Sequence, residues 1–146
     1  MFSDNYQQQT AIGSAQRILD ASLTDHELAQ LAHSDEARVR AAVAERVDAP
    51  LTTLVRLASD VSPAVRAGVA RNQRVDLPVE LREDLAKDKS YEVVVALVQN
   101  PALPIGMVRK LARSRNREVA LVARKRLSSG EGTTLQRLGM YGTATN

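Results

Sequence analysis

Cysteine and tryptophan are missing from this 146-residue chain, phenylalanine occurs once, and aromatics make up only 3%. Without a thiol, the chain carries no disulfide, thiolate metal site, iron–sulfur cluster or cysteine nucleophile of its own. Scarce aromatics remove the bulk on which a single compact core usually draws. Leu, Val and Ala must fill the interior instead, which suits thin layers of closely packed helices. Also missing is any apolar run near the roughly 18 residues that mark a membrane span. The phosphate-cradling patterns G-x-G-x-x-G and G-x-x-x-x-G-K-[ST] do not occur, nor does the G-x-S-x-G nucleophile turn. Met1 to Gly13 is polar and lacks the charged-then-apolar build of a signal peptide. A cytoplasmic location is therefore expected.

What is present is repetition. Apolar residues make up 44% and charged residues 25%, ordinary values for a globular chain of one-domain size. Leu-Ala recurs at Leu31-Ala32, Leu57-Ala58, Leu85-Ala86 and Leu111-Ala112. A Val follows at a constant distance in each copy: Val39, Val65, Val93 and Val119. A Pro precedes the last three at a constant distance, Pro50, Pro78 and Pro104, with Thr24 in that place in the first. One copy is two residues longer, and the extra length falls in the turn Arg71 to Leu77, between helices.

Each copy reads as two short helices. The first opens at the Pro, whose missing N–H costs nothing in a first turn. In the leading copy Thr24 and Glu27 make a capping box instead. Apolar residues then fall at helical spacing, as in Leu51, Leu54, Leu57 and Ala58. The second helix starts near Ser62, Ser90 or Asn116, good N-cap types, with Glu36 standing there in the first copy. At its middle lies a small residue (Ala42, Gly68 or Ala96), which lets a neighbouring helix approach closely. Helices this short persist only when the next layer covers their apolar face.

The expected organisation is a poorly ordered N-terminus over 1–10, a helical-repeat domain over 11–127 and a flexible tail over 128–146. Residues Ala11 to Ala21 read as a degenerate first helix, and Val119 to Leu127 as a last half-repeat. Within the tail, Leu135, Leu138, Met140 and Tyr141 are weighed as a docking segment against plain disorder or packing on the array's end. The latter reading is favoured.

The stretch Asn100-Pro101-Ala102-Leu103-Pro104, leading to Leu111-Ala112 and Val119, resembles the leucine-rich repeat variant family, one of the HEAT-like α-solenoids. Looser copies span Val39–Ala58 and Val65–Ala86, so the resemblance covers about Leu23 to Leu127. It implies an all-α, right-handed α-α superhelix of about four to five two-helix repeats, with one layer of each repeat 3₁₀ rather than α. Some members of that family carry an N-terminal iron–sulfur cluster, which a chain without cysteine does not inherit. The resemblance supplies no catalytic residues.

Charge is the informative surface feature. Net charge is +3, yet Arg109, Lys110, Arg113, Arg115, Arg117, Arg124, Lys125 and Arg126 lie within eighteen residues against a single Glu118. Lys110, Arg113 and Lys125 stand where earlier copies carry other residue types, so the basic character belongs to the last layers rather than to the repeat. A smaller ladder, Arg40 and Arg66, ends at Val94. Such clustering suits an anionic partner (nucleic acid, an acidic protein surface or an anionic membrane face) or a charged cap that keeps a terminal repeat soluble. No aromatic interleaves it, so nucleic acid would be held by its backbone with little sequence preference.

Two histidines, His26 and His33, share a helix face seven residues apart. That spacing is longer than the i, i+4 with which two imidazoles grip one ion, and surface histidines explain them. Ser34, Ser59, Ser62 and Ser90 fall at helix ends, where capping accounts for them. A glycosylase of HEAT-like fold needs an acid in an aromatic-lined cleft, which three tyrosines and one phenylalanine do not furnish. No enzyme and no cofactor is expected. The reading is an interaction module for a protein partner through its solenoid surface, with nucleic-acid binding through the basic residues as the alternative.

Overall fold

Pro50, Pro78 and Pro104 each sit at the N-cap of a short α-helix, with φ near −55° as the pyrrolidine ring demands. In the computed structural model, which describes residues 13 and 15–130, these open α3 (Leu51–Leu57), α5 (Val79–Ala86) and α7 (Ile105–Leu111). The fourth leading helix is α1 (Asp25–Leu31), opened by the expected capping box: the Glu27 N–H donates to Thr24 Oγ1 and the Thr24 N–H to Glu27 Oε2. The second helices of the repeats are α2 (Ala37–Glu45), α4 (Pro63–Arg71), α6 (Tyr91–Gln99) and α8 (Arg117–Ser128). A helical stretch over 15–20 precedes them. Among the described residues there is no strand, and no helix is long and apolar enough to cross a membrane. The readings placed on 1–10 and on Leu135, Leu138, Met140 and Tyr141 lie outside the described residues.

The chain divides after Ala102 into two compact units. In the first, α2 packs along α4 and α4 along α6, with the leading helices α1, α3 and α5 against their sides. The marker residues form its core: Val65, Val93, Leu54 and Leu57 are wholly buried, and Val39 and Leu85 nearly so. Each such side chain contributes about 1.5–3 kcal/mol on burial. Gly68 shows how tight the layer is, because a Cβ there would stand 2.9 Å from the Ala41 carbonyl oxygen and 3.0 Å from the Ala44 Cβ. In the second unit α7 packs on α8 over Val108, Leu111, Val119 and Ala123.

The resemblance led to the expectation of a 3₁₀ layer, and the described residues correct it: both helices of every repeat are α. Tighter i→i+3 bonding appears at helix ends, with two successive such bonds in the turn just past each leading helix. There Ser59 and Asp60 donate to the Arg56 and Leu57 carbonyls, and Arg113 and Ser114 to those of Lys110 and Leu111. A 3₁₀ turn satisfies final carbonyls that an ended α-helix leaves open.

Candidate functional site

Two of the basic residues singled out in the sequence prove to be internal. Arg40 Nε and Nη2 grip Asp60 at 2.8 and 3.0 Å, and Nη1 donates to the Ser34 carbonyl at 2.7 Å. Arg66 repeats the pattern one unit on, with Asp88 at 2.7 and 3.1 Å and the Asp60 carbonyl at 2.7 Å. All four side chains are about 10% exposed. Each carboxylate also accepts from the N–H of an N-cap serine, Ser62 or Ser90. Those serines therefore receive a bond through the backbone rather than cap with their hydroxyls; of the four second helices, α8 alone is capped by its N-cap side chain, Asn116. Burial pushes the Asp60 and Asp88 carboxyls up, but the arginine and serine bonds outweigh it and hold both below the usual carboxylate range. The third rung is missing on both sides, with Val94 in place of the Arg and Ser114 in place of the Asp.

A second set of rungs was not foreseen. Buried Asn72 donates through Nδ2 to the carbonyls of Ala44 and Arg46, both at 2.8 Å. Asn100 does the same to Ala70 and Asn72, at 2.8 and 2.7 Å. Each asparagine thus closes the carboxyl end of the preceding repeat's second helix, where backbone acceptors have no helical partner. The signal was in the sequence, since both recur seven residues after the marker Val.

These rungs leave an open groove of about 420 Å³ along the carboxyl ends of α2, α4 and α6. Beside the framework residues Ala96 and Asn100, two repeat positions line it. One carries Glu45, Arg71 and Gln99, the other Val47, Gln73 and Pro101. Glu45 and Arg71 pair at 2.8 Å on the surface, a contact worth little in water.

The eight basic residues of the sequence reading all belong to the second unit. Arg109 and Lys110 occupy the last turn of α7, Arg113 and Arg115 the turn that follows, and Arg117, Arg124, Lys125 and Arg126 lie on α8. Arg126 is half-buried and the other seven are exposed. Arg109, Arg113, Arg115, Arg117, Arg124 and Lys125 have no carboxylate partner among the described residues. They do not form a single face: α8 turns about 100° per residue, so Arg124, Lys125 and Arg126 leave it in three directions. Arg124 shares a face with Arg117, and its Nε donates to the Ala112 carbonyl at 3.0 Å, beside Arg113.

His26 lies on the surface with Nε2 3.0 Å from the Gln30 amide, and His33 is exposed in the turn after α1. No group of three metal-ligating side chains occurs among the described residues. Comparison of the chain with protein families, characterised proteins and solved structures finds no match.

Proposed function

We propose that the chain is a non-enzymatic helical-repeat module that binds another protein through the surface its repeats present. One observation carries this reading: framework positions repeat while two other positions along the groove change. The marker position is Val in every repeat, and the position three beyond it is Ala or Gly in α2, α4 and α6. Lining the groove, by contrast, are an acid, a base and an amide at one position, and Val, Gln and Pro at the other. Variation there costs the fold nothing and yields a mixed polar and apolar strip, the kind of surface that tells one polypeptide from another. The resemblance to leucine-rich repeat variant and HEAT-like proteins points the same way, since stacked helix pairs offer extended binding surfaces. The module works in the cytoplasm on this reading.

The test is affinity capture from the host with the full chain and with an Arg71→Ala/Gln99→Trp variant of unchanged thermal stability. A protein held in stoichiometric amount by the wild type and lost by the variant is the expected result. Identical captured proteins for both would defeat the reading.

Nucleic-acid binding is the second reading, favoured by the six cations of the second unit that lack carboxylate partners among the described residues. It requires log affinity for duplex DNA to fall with log salt by about 0.9 per phosphate neutralised. Arg113→Glu, Arg117→Glu and Lys125→Glu together should abolish it. Undetectable binding to duplex, single-stranded DNA and RNA at about 50 mM salt would dismiss it.

A further inference from the structure

On α8, the last helix of the described residues, one face differs in kind from the same face of the earlier second helices. On α2 that face carries Ala41 and Ala44, two and five residues beyond Val39. It is closed by α4, whose Gly68 leaves no room there for a Cβ. On α4 the same places are Ala67 and Ala70, both buried, with Asn100 of the next repeat reaching the Ala70 carbonyl. On α8 they are Leu121 and Arg124. Leu121 is 67% exposed. Arg117 one turn before it and Arg124 one turn after complete a stripe at i, i+4 and i+7.

Arg124 gives a second difference from the earlier repeats. Between the first two repeats, the carbonyl at the end of a leading helix is met from the following repeat, where Arg56 Nη2 donates to Ala32 at 2.8 Å. In the last repeat the corresponding Ala112 carbonyl is met by Arg124 of the same repeat.

We infer that this Arg–Leu–Arg stripe docks an acidic segment of a partner protein, one that sets an apolar side chain between carboxylates. The inference rests on the protein-binding reading above and adds the chemistry of the partner. Charge complementarity selects the sign: Arg113, Arg117 and Arg124 are exposed and lack carboxylate partners among the described residues, and guanidinium matches carboxylate in two-pronged geometry. Leu121 selects the class. A phosphate backbone has nothing apolar to lay on an exposed leucine, whereas a peptide side chain removes it from water. The stripe also lacks the aromatic ring on which a base would stack.

Fluorescence anisotropy at low salt tests this with the full chain and three labelled probes. They are a short Glu/Asp peptide with one central Leu, the same peptide with Ser in its place, and a short DNA duplex. The Leu peptide should bind most tightly. The Ser peptide, and separately the Leu121→Ser variant, should each weaken binding about tenfold, as expected for one leucine no longer buried. Arg117→Glu with Arg124→Glu should abolish it, with helical content unchanged by circular dichroism. Tighter binding of DNA than of the Leu peptide, or full affinity in Leu121→Ser, would overturn the inference. Failure of the peptide to bind at all would overturn it too, while leaving the protein-binding reading to the groove variants, whose residues lie elsewhere.

Discussion

Single residues decide how closely the repeats stack, and Gly68 is the sharpest case. The space for its missing Cβ is taken by the Ala41 carbonyl, a backbone atom that cannot rotate away. Gly68→Ala should therefore destabilise by about 1–3 kcal/mol despite the better helix propensity of alanine. Gly106, on α7, has nothing within 4 Å of a built Cβ, so Gly106→Ala should stabilise by about 0.5–1 kcal/mol. Thermal denaturation of the two variants should shift the midpoint in opposite directions. The Arg–Asp rungs make a pH prediction of definite sign. Asp60 and Asp88 titrate below their unfolded value of about 3.9, so the unfolded chain takes up protons first on acidification. Their stabilisation is complete above that value and is lost as pH falls through the lower folded value. A melting series from neutral pH down to about pH 2 should show the midpoint dropping in acid. An Asp60→Asn/Asp88→Asn variant should start lower at neutral pH and drop less.

At the scale of the helix, capping chemistry was readable and cross-repeat bonding was not. The capping box at Thr24 and Glu27 is a local pattern, and Thr24→Ala should cost about 1 kcal/mol in a denaturant titration. The Pro-opened helices and the small residue of α4 were likewise legible, because periodicity and caps act within a few residues. The bonds of Arg40 to Asp60 and of Arg66 to Asp88 join residues 20 and 22 apart, which no helical spacing reports. That is why Arg40 and Arg66 read as a surface ladder when they are internal rungs. Asn72 and Asn100 were overlooked for a related reason: an Asn after a helix reads as a local stop signal, yet here it bonds back across a whole repeat. Asn72→Ala removes the side-chain donor of the buried Ala44 carbonyl and leaves the Arg46 carbonyl only the Ala49 N–H, so it should cost about 1–3 kcal/mol, measurable by the shift in denaturant midpoint.

For the whole molecule, the repeat was legible because four copies of the Leu and Val markers, three of them led by Pro, stay in phase, and the described residues form helical repeats. The basic cluster was legible as composition only. Its separation into an Arg117–Leu121–Arg124 stripe and other, differently directed cations needed the register of α8. Everything proposed about binding depends on repeats that hold one another in place through rungs, so that surface positions are free to vary. Hydrogen exchange by mass spectrometry on Asn72→Ala, resolved helix by helix, tests that dependence most directly. Loss of protection at the carboxyl ends of both α2 and α4, with α1 unaffected, is the predicted result. Loss confined to α4, or no loss at all, would contradict it.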